Sequence, residues 1–161
     1  MEAREDSVHP WSLERCASFL NKLRLSIQKD GEKRFILLEN LTEKFAYPCV
    51  LDLKMGTRLW DNYEPESKKQ TKTRRAREST SEKLGVRLGG MEVYDTAQAS
   101  YHVLDKYYGR SLSVQEFKTT VARFFFTGVK FRLDLVHLFR RRLHEIIEIL
   151  QKLDSFRFCG R

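Results

Sequence analysis

The chain has 161 residues, and 30 lysines and arginines against 22 aspartates and glutamates give it a formal net charge of +8. This length is typical of one domain with a sizeable core, and the charge favours an anionic partner: nucleic acid, an acidic membrane surface or a phosphorylated small molecule. The three scattered cysteines argue against a disulfide framework and a CxxC zinc site, and no apolar run is long enough to span a membrane. We therefore expect a soluble intracellular protein of the cytoplasm, the nucleus or both.

The N-terminal part of the sequence predicts a helix followed by two strands. Apolar residues at helical spacing predict a leading helix over 12–28, with Ser12 as its N-cap. The run RFILLENL predicts a short buried strand over 34–41, and PCVLDLKMGTR predicts a strand within 48–58 that begins at Pro48. Residues 64–83 contain almost no apolar side chain, so we expect an exposed helix or a mobile loop there.

The C-terminal part, residues 86–153, predicts a sheet and helices. The runs LGVRLGGMEVYD and SYHVLDKYY are rich in β-forming residues and lie a hairpin apart, and Gly89-Gly90 indicates a bulge in a strand pair. The sequence SVQE, from Ser113 to Glu116, is a capping box that predicts a helix to about Thr127, with Gly128 as its stop. A last helix is predicted over about 130–153. This order predicts one α+β domain over 1–161, with a central antiparallel sheet and flanking helices.

A dense run of cations lies in the polar segment. It places six positive charges in ten residues: Lys68, Lys69, Lys72, Arg74, Arg75 and Arg77. Like charges at this density repel one another unless an anion is near, so the run is either a solvated face or a polyanion surface. It can also be interpreted as a nuclear localisation signal. No aromatic residue between Glu66 and Val93 is present to stack on bases, which argues against nucleic-acid binding.

Other chemical motifs are weak. His137 and His144 share a face of the last predicted helix, but they stand among arginines, and no acidic residue or cysteine stands at a spacing that would make a metal site persuasive. The sequence has no phosphate-binding glycine loop of the GxxxxGK[ST] or GxGxxG type and no GxSxG turn.

One alternation of polar residues, at the end of the predicted 48–58 strand, is informative. Asp52 and Lys54 stand two apart, so a strand would present both side chains on one face, and Gly56 would leave the backbone beside them open. A carboxylate and an ammonium group therefore share one patch.

The neighbours of this pair carry a resemblance to a known family. The motif PxxxDxKxG of the inositol polyphosphate kinases is matched in full by Pro48, Asp52, Lys54 and Gly56. Further segments resemble the inositol hexakisphosphate kinases within that family: HPWSL, LLEN, STSEKLGVRLGGMEVY and KYYGRSLS. The resemblance runs from about His9 to Phe158 and implies that the fold contains the hinge and part of the C-terminal lobe of such a kinase.

The resemblance implies a role for each matching residue. Glu39 and Leu41, in the hinge, would bind adenine through their backbone groups, and Asp52 would accept from the ribose hydroxyls. Lys54 would be the catalytic cation between the terminal nucleotide phosphate and the inositol polyphosphate. Further substrate contacts would come from the residues around it: Gly56, Arg58, Lys68, Lys69 and Lys72. ATP and Mg²⁺ are the implied cofactors, and the implied product of inositol hexakisphosphate is a diphosphoinositol.

The sequence also departs from the family pattern. About thirty residues precede the hinge, fewer than the family's N-terminal lobe with its phosphate-gripping lysine, and the chain ends in CGR after SFRF, before the segment with the magnesium aspartate. We therefore expect an incomplete kinase with weak or absent phosphoryl transfer and no metal ligand of its own. The alternatives are a polyphosphate- or partner-binding module, and an enzyme of the inositol polyphosphate multikinase or trisphosphate 3-kinase type. The oligomeric state stays open.

Overall fold

The computed structural model describes residues 10–30 and 35–153. These contain α1 (Pro10–Asp30), β1 (Val50–Met55), α2 (Glu66–Arg77), α3 (Thr80–Leu84), β2 (Val86–Asp95), β3 (Ser100–Leu104), α4 (Lys106–Ser111), α5 (Val114–Phe124) and α6 (Leu133–Gln151). The predicted α+β class is confirmed. The chain divides into two compact units, Met1–Pro48 and Cys49–Arg161, and the assignment of 1–161 to one partial kinase domain stays a prediction.

The first unit contains α1. The helix begins at Pro10, so Ser12 lies within its first turn and not at its N-cap. Proline is tolerated at this point because the first turn of a helix leaves its backbone N–H groups unpaired in any case. The helix therefore extends two residues beyond each end of the predicted 12–28 span.

The LLEN segment does not form the predicted strand. Residues 35–40 have no regular secondary structure, and the side chains of Ile36 and Leu37 are 85% and 98% exposed. The chain then turns, and the Asn40 carboxamide oxygen accepts from the backbone N–H of Thr42 at 3.1 Å. This corrects the prediction of a buried strand over 34–41. A strand needs a partner for its backbone hydrogen bonds, and in the described residues β1, β2 and β3 pair only with one another.

The second unit is built on an antiparallel sheet with the order β1-β2-β3. The β1–β2 register is irregular: Asp52 lies opposite Gly90 and Leu53 opposite Leu88, so the extra residue is Gly89. A one-residue bulge reverses the alternation of side chains between the two faces. Leu88 and Met91, three residues apart, are therefore both buried. The bulge predicted at Gly89-Gly90 is confirmed.

The core covers one face of this sheet. It is centred on five buried residues from β2 and the following helices: Leu88, Met91, Val93, Leu112 and Phe117. Leu51 and Leu53 of β1 pack against this cluster. Because side chains alternate along β1, Asp52 and Lys54 lie on the opposite face, away from the core.

The polar segment 64–83 is helical. It contains α2 and most of α3, which are separated by Glu78 and Ser79. The Ser79 side chain accepts from the backbone N–H of Ser81 as the N-cap of α3. The segment is not exposed throughout, because Ala76, Thr80 and Ser81 are buried. The cation run therefore lies on a helix that is anchored at its C-terminal end.

The helices after the sheet depart from the predicted bounds. The sequence predicted KYY as part of a strand, but these residues begin α4. The Asp105 carboxylate caps this helix by accepting from the backbone N–H groups of Tyr107 and Tyr108 at 2.9 Å. The capping box of Ser113 and Glu116 is confirmed at the start of α5. That helix ends at Phe124, and Gly128, with φ of 88°, lies in a turn closed by a bridge between Phe126 and Phe131.

Candidate functional site

The candidate site is centred on the Asp52–Lys54 pair. The Lys54 ammonium donates to both carboxylate oxygens of Asp52, at 2.9 and 3.2 Å from Nζ. The Lys54 side chain is 33% exposed and that of Asp52 is 46% exposed, so both groups can be reached from solvent. The predicted shared face is therefore formed, and it carries both an acceptor and a cation.

Glycines shape the backbone around this pair. Gly56 directly follows β1 with φ of 102°, a conformation that favours glycine, and its N–H donates to the carbonyl of Gly85 at 2.7 Å. Gly89 lies so close to Asp52 that a Cβ atom at that position would overlap the Asp52 carboxylate. The absence of a side chain at Gly89 thus leaves room for the Asp52 carboxylate, and the open backbone expected at Gly56 stays a prediction.

Arg58 does not point freely toward a ligand. Its Nε donates to the carbonyl of Trp60 at 3.0 Å, its Nη2 donates to the side chain of Asn62, and its guanidinium lies 3.9 Å from the centre of the Trp60 ring. Arg58 therefore holds the loop after β1 in shape, and a contact with substrate would have to add to these bonds.

Trp60 connects this loop to the basic helix, a role that the sequence did not reveal. Its indole N–H donates to the hydroxyl of Thr73 on α2 at 3.1 Å, and the Lys69 ammonium lies 5.4 Å from its ring. Cations stacked on an aromatic ring are attracted by its negative face. The sequence places Trp60 shortly before the cation run, but only the fold brings its indole ring into contact with α2.

The three lysines proposed for substrate binding differ in their surroundings. Lys68 is exposed, and in the described residues it makes no salt bridge within 4 Å. Lys69 lies 3.9 Å from a Glu66 oxygen. Lys72 donates to Glu64 at 2.5 Å, and the side chains of both are about three-quarters buried or more. Lys68 is therefore the most available of the three, and Lys72 the least.

A shallow cavity of about 470 Å³ lies along α2 beside Trp60. Its lining combines this indole with polar and charged side chains of the helix: Glu66, Lys69, Gln70, Thr73, Arg74 and Arg77. Three of the seven lining residues are cations, so the cavity favours an anionic occupant.

The Lys72 contact lowers the pKa of Glu64 below its ordinary value of 4.5. We expect Lys72→Gln to raise the Glu64 pKa back toward 4.5, because the largest cause of the lowering is the hydrogen bond from Lys72. The folded-state pKa is the lowered one, so this pair stabilises the fold above the unfolded pKa and ceases to do so as the pH falls through the folded pKa. A carboxyl NMR titration measures the shift. Lys68→Gln is the matched control, and a Glu64 pKa at or above 4.5 in the unsubstituted chain would contradict the pairing.

Glu39 and Leu41 belong to the first unit. Glu39 lies in the irregular segment, and Leu41, 75% exposed, begins the turn at 41–44. The site described above is built from residues of the second unit alone, and the adenine-binding role of these two residues stays a prediction.

The described residues do not fit a magnesium site. Within residues 10–30 and 35–153, no three side chains of the His, Cys, Asp or Glu type are grouped so that they could hold a metal ion. The Asp52 carboxylate is already paired with Lys54.

Within residues 10–30 and 35–153, no helix is long and apolar enough to cross a bilayer.

Comparison with known proteins gives one family. The sequence model of the family described as inositol polyphosphate kinase matches residues 35–161 of this chain. The chain is 39% identical to mouse inositol hexakisphosphate kinase 3 over 157 residues, which are 98% of this chain and 40% of that protein. It is 38% identical to human inositol hexakisphosphate kinase 2 over 93% of this chain and 35% of that one. The rat inositol hexakisphosphate kinase 1 is 35% identical over 98% of this chain and 36% of its own length.

A solved structure of an inositol phosphate multikinase supports the fold. It superposes with a TM-score of 0.54 at 24% identity, covering 68% of this chain and 57% of that one. The chain spans 40% or less of the length of these curated relatives. The alignments with them cover 93% or more of its own length. Together with the family match over 35–161, this shows that the chain belongs to the inositol polyphosphate kinase family.

Proposed function

We propose that this chain is the part of an inositol polyphosphate kinase that holds the transferring phosphoryl group, with inositol hexakisphosphate as the substrate and a diphosphoinositol as the product. The observation that carries the proposal is the Asp52–Lys54 pair on the open face of β1, with Lys54 Nζ 2.9 Å from Asp52 Oδ2, Asp52 exposed and Lys54 partly exposed. The curated relatives are named as inositol hexakisphosphate kinases, which favours that substrate over a less phosphorylated inositol.

The two members of the pair suit different parts of the reactants. A carboxylate accepts hydrogen bonds, so Asp52 is proposed to bind the ribose hydroxyls of ATP, which supplies the phosphoryl group when bound. Lys54 is a point charge suited to phosphate oxygens. Binding of phosphate would compete with Asp52 for the same ammonium group, so Lys54 is proposed to exchange part of its contact with Asp52 for contact with the ligand.

Charge stabilisation is the main requirement of phosphoryl transfer, because the negative charge is spread over the oxygens of the moving group. Lys54 is proposed to neutralise that charge between donor and acceptor. Mg²⁺ is the cofactor that the family resemblance implies, and the described residues do not form a site for it.

The basic helix α2 is proposed to attract the polyphosphate. Lys68 is exposed, and Lys69 lines the cavity beside Trp60 with Arg74 and Arg77. Lys72 would have to leave or share its Glu64 contact to take part. Gly56 and Arg58 are proposed to shape the entrance of the site next to Lys54.

The test is isothermal titration of inositol hexakisphosphate into the 161-residue chain at near-physiological salt. Lys54→Ala is expected to weaken binding about 10- to 100-fold, which corresponds to the loss of a charge-assisted contact of about 1.5–3 kcal/mol. Lys118→Ala, which removes an exposed lysine of α5, is the matched control and is expected to bind like the unsubstituted chain.

A second variant separates the kinase site from a nonspecific polyanion surface. It replaces Lys68, Lys69 and Lys72 with glutamine. Binding that ignores Lys54→Ala and falls only in the triple variant would contradict the proposal and favour a polyphosphate-binding module. The absence of saturable binding by the unsubstituted chain would also overturn it.

A further inference from the structure

Arg87 lies next to Lys54 on the open face of the sheet. The two residues are direct partners in the antiparallel β1–β2 register, with Lys54 opposite Arg87 and Met55 opposite Val86. Directly opposite residues of an antiparallel pair project their side chains to the same face. The Asp52–Lys54 patch therefore continues across to β2 with a second cation.

A buried hydroxyl group holds the Arg87 guanidinium in place. Its Nη1 donates to the hydroxyl of Ser81 at 3.2 Å, and Ser81 is completely buried at the start of α3. Arg87 itself is partly buried. A guanidinium fixed by a buried hydroxyl keeps its remaining N–H donors in one orientation, which is the arrangement that favours bidentate binding of phosphate.

The charges around Arg87 are mainly positive. Burial lowers the pKa of Arg87, and the charges of Arg110 on α4 and Arg75 on α2 lower it further, whereas Asp52 raises it. Asp52 is already bonded to Lys54. In the described part of the chain, Arg87 makes no salt bridge within 4 Å. The charges that act on Arg87 are thus more positive than negative, an imbalance that costs free energy unless an anion is bound.

We infer that Arg87 binds a phosphate group beside Lys54. This inference rests on the proposed function, because it adds a binding residue to the same site. The phosphate can belong to the inositol polyphosphate or to the nucleotide, and both present the same chemistry to a guanidinium group. Arg87 lies in the segment STSEKLGVRLGGMEVY, outside the PxxxDxKxG motif and the basic run, and the strand register brings it to the site.

The test titrates inositol hexakisphosphate and, separately, ATP into the 161-residue chain and its Arg87→Gln variant. The variant is expected to bind one of the two ligands about tenfold or more weakly, because a bidentate charge-assisted contact is lost. Weaker binding of inositol hexakisphosphate alone assigns the phosphate to the inositol, and weaker binding of ATP alone assigns it to the nucleotide. Arg87→Lys, which keeps the charge without the fork, is expected to lose less than Arg87→Gln.

Arg140→Gln is the matched control, because it removes one positive charge from the exposed part of α6. It is expected to change either affinity by no more than about twofold. If thermal unfolding shows that Arg87→Gln is not folded, Arg87→Lys replaces it and is expected to bind one of the two ligands more weakly than Arg140→Gln does. Affinities equal to those of Arg140→Gln for both ligands would overturn the inference.

The two proposals can fail separately. Loss of binding in Lys54→Ala with full binding in Arg87→Gln would leave the kinase site standing and overturn the role of Arg87. The absence of binding of either ligand to the unsubstituted chain would overturn both.

Discussion

Replacement of Gly109 by alanine is expected to lower the free energy of unfolding by about 2–3 kcal/mol. Gly109 lies in α4 and packs directly on the backbone of β2. A Cβ atom at this position would lie 2.9 Å from both the carbonyl carbon and the Cβ of Leu88, and would overlap the Leu88 carbonyl oxygen. Leu88 is completely buried in the core, so it cannot yield without moving β2. Urea denaturation measures the loss.

Gly90→Ala is the matched control for this prediction. Its new Cβ would lie 3.5 Å from the carbonyl oxygen of Leu104, which is ordinary van der Waals contact. We expect a change within about 1 kcal/mol, and it distinguishes a steric effect of Gly109 from a general effect of alanine in place of glycine. Equal stabilities of the two variants would contradict the close packing of α4 on β2.

Leu88→Ala is expected to lower the free energy of unfolding by about 3 kcal/mol or more, because it removes a side chain from the centre of the core. Leu88 has no exposed surface and belongs to the cluster that joins β2 to Leu112 and Phe117. The cavity left behind would lie next to the bulge, because Leu88 directly precedes Gly89 in β2. We therefore also expect inositol hexakisphosphate to bind the variant more weakly, since β2 positions Arg87 beside Lys54.

Leu138→Ala on α6 is the comparison for the core variant. Leu138 is 41% exposed, so its loss is expected to cost less than about 1 kcal/mol. Urea midpoints at equal slopes compare the two directly. A core variant no less stable than Leu138→Ala would contradict the core as described.

Local signals in the sequence predicted several parts of the fold correctly. The capping box at Ser113 needs only a hydroxyl, a carboxylate and three residues of spacing, and it begins α5 as predicted. The alternation of Asp52 and Lys54 needs only an extended backbone, and the two side chains meet at 2.9 Å. The paired glycines at 89–90 predicted the bulge because a ladder tolerates an extra residue most easily where no side chain interferes.

Other predictions failed because they depended on a partner. The segment around Leu37 is apolar enough for a strand, yet it pairs with no strand of the described residues and its side chains are exposed. Gly128 has the positive φ expected of a residue that ends a helix. However, α5 already ends at Phe124, and a short antiparallel bridge between Phe126 and Phe131 follows it. A pattern of residues states a preference, and the neighbours decide whether it is realised.

By itself the sequence determined the family motif and the shared face of Asp52 and Lys54, which follow from spacing along a few residues, and the α+β class, which follows from the order of the predicted elements. Only the tertiary structure decided which cations remain available. Lys72 is taken by Glu64 eight residues away, Trp60 is joined to Thr73 thirteen residues away, and Arg87 is brought beside Lys54 by the strand register. The physical reason is that hydrogen bonds and ion pairs act over a few ångströms in space, and folding sets those distances between residues that are far apart in the chain.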